Sequence, residues 1–588
     1  MLNLKTMKLY QSLSILFFTG ISLSISSCSK FLDRVPPSSL KEELVANKKG
    51  INALLVGAYG ALDGQDFTDG DMTNLSGGSG YAVSPDNWIY GSVCGGDAHK
   101  GSDHFDSPPT LDLARFSAGA TNSFLNDKWR VNYEGITRCN TVLKLLPEAT
   151  DMSEDEKTEI AAEAHFLRGH YYSDLKKMFN MVPWIDETTT DMKTPNNQDI
   201  WPKIEADFKF AMDNLALTQS EVGRPNKWAA AAYLAKTYMY EHNYNEAKPL
   251  FDLITTTGVT SKGDRYALRN RFEDNFDAAT ENTSESVFAI QYDANDNSGT
   301  SANANQGQML NYPYNGPFSC CGFFQPTQDL VNSYITDAQG LPILDGYNTH
   351  NVNTETVDPR LDWTVGRKDI PYLDWGVHPG DTWIREASTA GHYSPKKNVY
   401  WQSTQDEYYD PRGWAPGNAI NYNVIRYADV LLMAAECEAQ LGNTDAAERY
   451  VNIVRTRAAR PESAVYKYED DSEPMDGFSD VPAANYKVSP YPTGTFSSKG
   501  KDYALKAIYF ERKLELAMEG HRFFDLVRWG IADQAMNAFF AFEGRITLDI
   551  QGANFIKGTN EYFAIPQRQI DLSTNGGKIT LQQNNGYH

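Results

Sequence analysis

The chain has 588 residues, of which 41% are hydrophobic and 22% are charged, a composition that predicts a globular protein with a substantial core. Its 76 acidic residues outnumber 53 lysines and arginines, so the formal net charge is −23. That charge argues against nucleic acid as a partner and against electrostatic docking on anionic lipid.

The N-terminus has the pattern of a secretory signal. Lys5 and Lys8 precede a short apolar stretch, and small residues then lead to Cys28. This order predicts a signal peptide over residues 1–27. The position of the cysteine resembles the bacterial lipobox, which predicts acylation of Cys28 and a tether over residues 28–39. An ordinary signal peptide with a chance cysteine is the alternative. Several acyl chains would hold the protein on a membrane stably.

Helical periodicity predicts a scaffold built from paired helices. A capping box, Ser153 to Glu156, marks the start of one long helix. In two segments, small residues lie 12 apart and an aromatic residue follows 16 after the first, which resembles the tetratricopeptide repeat. After a last clear helix over 502–520, a loop and short strands are predicted. The predicted scaffold covers about 40–62, 126–255, 423–458 and 502–530.

Two long insertions interrupt this scaffold, at about 63–123 and 256–423, and they are rich in glycine, polar and aromatic residues. Such long loops in a compact protein are usually functional or disordered. Aromatic side chains in them could stack on sugar rings while neighbouring polar groups bind hydroxyls. The predicted ligand-binding residues are Trp88, Asp71, Arg385, Tyr393 and Trp401, and further aromatic candidates are Trp375, Trp383, Tyr400 and Trp414.

Motifs for catalysis, cofactors or metals are missing from the sequence. There is no phosphate-binding P-loop, no G-x-S-x-G elbow and no H-E-x-x-H pair, so no cofactor and no metal are predicted. The number of carboxylates in the sequence does not exclude a pair that hydrolyses glycosides, because such a pair is defined by the distance between its members in space. Cys320 and Cys321 are adjacent in a loop and could form a disulfide or remain two thiols.

Several segments, taken in order with Cys28, resemble the SusD/RagB family of outer-membrane nutrient-binding lipoproteins. The segments Gly96–Gly101, Arg426–Leu432 and Glu511–Trp529 carry the resemblance. The charges of the last segment are interpreted as ion pairs and caps. The resemblance covers nearly the whole chain.

The resemblance implies one mostly α-helical domain over 40–588, in which tetratricopeptide-like helix pairs carry irregular insertions and a few short strands. It implies a lipid-anchored protein exposed on the surface of the outer membrane. Such a protein binds oligosaccharides and delivers them to a SusC-like TonB-dependent β-barrel transporter, without catalysis. A surface glycosidase and a peptide-binding assembly module remain the alternative functions.

Overall fold

The computed structural model describes residues 42–587, except 69–70, 76, 298–300 and 319. The predicted signal peptide, the tether and Cys28 lie outside the described residues. The side chains of 42–43, 66–68 and 71–74 lie outside them as well, and the candidate Asp71 is one of these.

A continuous array of long helices forms the frame. From α1 to α6 each helix packs on the next; α6 then packs on α7, and α7 packs on both α8 and α9. This arrangement confirms the predicted mostly α-helical, tetratricopeptide-like fold. The long helices are α1 (Lys48–Tyr59), α2 (Ser123–Leu145), α3 (Glu154–Phe179), α4 (Trp201–Asn214), α5 (Lys227–Tyr240), α6 (Tyr244–Thr257), α7 (Tyr427–Gln440), α8 (Thr444–Ala458), α9 (Lys501–Glu515) and α10 (Ala532–Glu543).

Short helices lie mostly in the insertions and near the C-terminus. A six-residue π-helical turn, Trp88–Val93, is buried along its whole length. The short α-helices are Glu42–Val45, Pro108–Ala114, Gln328–Ser333, Arg360–Thr364, Ala387–Ala390, Gln405–Tyr408, Thr495–Lys499, Arg522–Arg528 and Gln567–Leu572.

The described strands form two-stranded antiparallel ribbons that tie the insertions together. One ribbon joins the two insertions, because Ala98–Gly101 pairs with Phe323–Pro326. The other pairs are Gln65–Thr68 with Asp71–Asn74, Ser286–Ile290 with Tyr422–Arg426, Val365–Gly366 with Ser394–Pro395, Tyr409–Asp410 with Gly417–Asn418, and Tyr466–Tyr468 with Phe478–Pro482.

Local signals placed some helix ends correctly and missed others. The capping box before α3 is confirmed, since the Ser153 and Glu156 side chains each bond the other residue's main chain. The helix predicted over 40–62 is broken: the Asn47 side chain accepts a hydrogen bond from Gly50 N and starts α1.

The predicted loop and short strands after residue 520 were wrong. A short helix, Arg522–Arg528, and α10 occupy most of that region up to residue 543. The aromatic run in α10 is helical because Phe539 and Phe540 are buried against the core, where Phe540 meets Phe116. Tertiary packing here overrides the strand preference of neighbouring phenylalanines.

The charged segment Glu511–Trp529 is part of the core rather than a surface site. Arg360 binds both Glu511 and Glu515 at 2.8 Å, and all three side chains are fully buried. Burial alone would raise the pKa of Glu515, but Arg457, Arg426 and Arg360 hold it well below its ordinary value. The interpretation of this segment as ion pairs is confirmed.

Candidate functional site

The candidate site is built on one segment of the second insertion, residues 380–393. His378, just before this segment, holds its two ends together. Its Nδ1 accepts a hydrogen bond from Gly380 N at 3.1 Å, and its Nε2 lies 2.9 Å from Ser394 Oγ. Because Nδ1 accepts, the ring proton is on Nε2 and is donated to the serine. Burial lowers the pKa of His378 to about 3, so the neutral ring persists near pH 7.

Arg385 connects this segment to the first insertion. Its guanidinium donates to Ser102 Oγ at 2.9 Å, lies 2.7 Å from Asp103 Oδ2 and also pairs with Asp106. The same group lies 5.3 Å from the centre of the Tyr314 ring. A cation shared between two carboxylates over an aromatic face has a fixed orientation. About a third of the Arg385 side chain remains exposed.

The two aspartates that hold Arg385 are both partly exposed. Burial acts to raise the pKa of Asp103, but hydrogen bonds from main-chain N–H groups and the charge of Arg385 outweigh it and lower that pKa. Asp103 is therefore an ionised hydrogen-bond acceptor near neutral pH, and it has no proton to donate there.

Three aromatic residues lie on the segments that Arg385 joins: Tyr314 under its guanidinium, Trp383 two residues before it, and Phe105 between its partners Asp103 and Asp106 in the sequence. Trp383 is half-buried, and its main-chain oxygen accepts from Tyr314 N at 3.0 Å. A Cβ atom on Gly316 would lie 3.2 Å from the Trp383 ring, so the absence of a side chain there lets the two segments approach. Phe105 is 85% exposed. We call Phe105, Tyr314, Trp383 and Arg385 the aromatic face.

Polar groups with free hydrogen-bonding capacity border the aromatic face. His392 Nδ1 lies 2.9 Å from Asp381 Oδ1, and both side chains are more than half exposed. A surface that combines ring faces with carboxylate, imidazole and guanidinium groups can stack on the C–H side of a sugar and bind its hydroxyls.

The structure contradicts the prediction that Trp88 contacts a ligand. Trp88 is 1% exposed, its indole N–H donates to Gly307 O at 3.2 Å, and its ring packs on Phe323 and Phe324. The glycine- and serine-rich sequence around it suggested an open loop, but the insertion folds back on the core. Trp88 is therefore a core residue.

The other predicted residues are dispersed. Tyr393 belongs to the same segment as Arg385, but its hydroxyl donates to Gln328 Oε1 at 2.9 Å and its ring is half-buried. Trp401 packs against the same buried cluster as Trp383, but its ring contacts are different ones, with ring centres 6.5 Å from Trp363 and 6.3 Å from Phe478. Of the five predicted residues, only Arg385 and Tyr393 lie in the segment 380–393. The side chain of Asp71 lies outside the described residues.

Sequence reasoning missed Phe105 and Tyr314. Phe105 follows the Gly96–Gly101 segment by four residues, so its position was a usable signal. Tyr314 gave no such signal, because only the fold brings it under Arg385. The described structure joins Cys320 and Cys321 in a disulfide.

Within the described residues, no group of three or more His, Cys, Asp or Glu side chains is arranged to hold a metal ion. In the same part of the chain, no helix is both long and apolar enough to cross a bilayer.

Comparisons with known proteins agree with this architecture. A family model described as "SusD family" matches residues 284–587, and one described as "Starch-binding associating with outer membrane" matches residues 30–239. A SusD-like protein P2 of Formosa agariphila is 23% identical over 88% of this chain and 90% of its own.

Solved structures share the fold. A SusD superfamily protein of Bacteroides vulgatus is 22% identical, with a TM-score of 0.64 over 92% of this chain and 99% of its own. A surface glycan-binding protein A of Bacteroides thetaiotaomicron, solved with laminarihexaose, is 21% identical, with a TM-score of 0.62 over 92% of this chain and all of its own.

Proposed function

The chain belongs to the SusD family, and on that premise we propose that it captures oligosaccharides on the aromatic face without cleaving them. The observation that carries the proposal is the position of Arg385, held by Asp103 and Asp106 over the Tyr314 ring beside Trp383 and Phe105. These side chains come from three separate stretches of sequence, which the contacts of Arg385 with Asp103, Asp106 and Tyr314 bring together.

The absence of catalysis is part of the proposal. Glycoside hydrolysis requires one carboxylic acid that donates a proton, beside a second carboxylate. Asp103 is held ionised, and both it and Asp106 are engaged by Arg385. The carboxylates at the aromatic face are therefore suited to accept hydrogen bonds from sugar hydroxyls.

Delivery of the ligand is the second part of the proposal. We propose that acylated Cys28 anchors the protein on the outer face of the outer membrane, where it passes oligosaccharides to a SusC-like TonB-dependent β-barrel transporter. The family-model description that refers to the outer membrane supports this location. Replacing Cys28 with serine should move the protein from the membrane fraction to the soluble fraction, whereas Cys94→Ser, at a buried free thiol, should not.

Calorimetric titration tests the binding function directly. Laminarihexaose is the first probe, because a solved relative was crystallised with it, and neutral oligosaccharides of other linkages complete the panel. Trp383→Ala should weaken binding about tenfold, which corresponds to about 1.4 kcal/mol. Trp414→Ala is the control: Trp414 is 57% exposed but lies outside the aromatic face.

The same samples distinguish the alternatives. Chromatography of the oligosaccharide after long incubation should show an unchanged chain length, and shorter products would indicate a glycosidase. Unchanged affinity in Trp383→Ala would exclude the aromatic face as the binding surface. No binding to any oligosaccharide, together with retained association with the transporter, would favour the assembly module.

A further inference from the structure

A concave surface lies on α2, and its lining includes no residue of the aromatic face. It is a groove of about 370 Å³ between α2, the loop around residue 193 and the C-terminal segment. Ligand sites in proteins are typically concavities of about this size or larger, with a few polar groups among apolar walls. We call it the α2 groove; the lining residues used here are Trp129, Arg130, Tyr133, Met192, Lys193 and Leu572.

Arg130 is the unusual residue of the groove. It is half-buried, and within the described residues its guanidinium has no hydrogen bond and no acidic partner. The carboxylate one helical turn away, Glu134, is already bound to Arg138 at 2.9 Å. A planar guanidinium with unused donors matches the two oxygens of a carboxylate.

The charge around Arg130 favours an anion, although the protein as a whole is acidic. Lys193 also lines the groove, and the one hydrogen bond of its ammonium to another described residue goes to the Thr574 main-chain oxygen. Among the described lining residues, two cations, Arg130 and Lys193, stand against one carboxylate, Glu134, which is paired with Arg138. This local balance would attract a singly charged ligand, and added salt would weaken the attraction.

The walls of the groove are held in place by hydrogen bonds. The Tyr133 hydroxyl donates to Pro183 O at 2.7 Å. Asn196 exchanges two hydrogen bonds of 2.8 Å with the main chain of Gln582, which ties the loop to the C-terminal segment. A groove with fixed walls loses little entropy when a ligand enters.

The apolar part of the groove suits a ring-shaped ligand. The Trp129 and Tyr133 rings lie 5.2 Å apart and both line the groove; Trp129 is 4% exposed, so the half-buried Tyr133 offers the accessible ring surface. Met192 is 63% exposed and Leu572 is 61% exposed, so apolar contact surface is available to an incoming molecule. A small ring that carries one carboxylate would use both this surface and Arg130.

We infer that the α2 groove is a second ligand site, which binds a saccharide carrying a carboxylate, with Arg130 as its anchor. This inference rests on the proposed glycan-binding function for the choice of a saccharide. It adds a second binding site to the aromatic face, and it specifies a negatively charged ligand for that site.

Methyl NMR of the full mature chain tests the site, because Met192 lies in the groove. With isotope-labelled methionine methyl groups, and Met192→Leu to identify the signal, glucuronic acid should shift the Met192 methyl with saturation at millimolar concentrations. Glucose has the same ring without the carboxylate, and acetate has the carboxylate without the ring. Each should bind at least tenfold more weakly.

Arg130→Gln should weaken glucuronic acid at least tenfold while the melting temperature stays unchanged. Arg545→Gln is the matched control: Arg545 is exposed, and among the described residues it has no acidic partner. An unshifted Met192 signal, equal shifts with glucose or acetate, or full binding by Arg130→Gln would each overturn the inference. Binding of laminarihexaose at the aromatic face, tested with Trp383→Ala, is a separate measurement, so the two proposals fail independently.

Discussion

Replacing Trp88 with alanine separates a core role from a ligand role. Trp88 is almost fully buried, fills the space beside Phe323 and Phe324, and satisfies the Gly307 carbonyl. Truncation of a buried tryptophan to alanine costs about 3–5 kcal/mol of unfolding free energy. We therefore expect Trp88→Ala to destabilise the protein without touching the aromatic face.

The expected shift in melting temperature follows from the size of the protein. Unfolding entropy is roughly 2.1 cal/mol/K per residue, so about 540 described residues give about 1.1 kcal/mol/K. A loss of about 3–5 kcal/mol then lowers the melting temperature by about 3–4 °C. Scanning calorimetry can resolve this shift.

Trp383→Ala should have the opposite effect, a larger loss of binding and a smaller loss of stability than Trp88→Ala. Trp383 is half-buried, with its ring packed on Tyr372 and His378, so its truncation should lower the melting temperature less than Trp88→Ala does and should weaken oligosaccharide binding about tenfold. At a temperature well below unfolding, Trp88→Ala should bind as the parent protein does. If Trp88→Ala lost binding while its melting temperature stayed unchanged, the assignment of Trp88 to the core would be refuted.

Two further predictions concern buried titratable groups. Glu515→Gln should lower the unfolding free energy by about 3–5 kcal/mol, measured by denaturant titration, because Arg360 and Arg426 lose a buried carboxylate; a loss below 1 kcal/mol would contradict the structural role. His378 has a folded-state pKa of about 3, below its ordinary value of 6.5. Between these two pH values the unfolded chain binds a proton at His378 that the folded protein does not bind. The folded protein therefore loses stability as pH falls from about 6.5 towards 3. His378→Asn should remove this part of the pH dependence of the melting temperature, and an unchanged slope would show that other groups cause it.

Helix positions were the part of the fold most easily predicted from the sequence. Glu156, three residues after Ser153, marked the start of α3, since a capping box is defined by neighbours along the chain. The end of the chain was harder: α10 contains adjacent phenylalanines, and only its burial against Phe116 decides that they are helical. Segments whose structure depends on distant partners cannot be read from local sequence.

The site shows the same division between local and distant information. Arg385 was predicted as a hydrogen-bonding group, but its partners Asp103 and Asp106 are nearly 280 residues away in sequence. Trp88 resembled an exposed loop tryptophan, and Trp383 was only one of several aromatic candidates. Their exposure depends on how each insertion folds back, which composition does not specify.

Amino-acid order alone determined the periodic helices and the motifs of the family, and it predicts lipidation of Cys28, because each of these signals depends on residues close together in the chain. The tertiary structure alone decided which aromatic rings remain at the surface and which charges are paired. Burial and ion pairing are properties of atoms brought together in space, so Trp88 became core, Trp383 became part of a surface, and Arg130 remained without an acidic partner within the described residues.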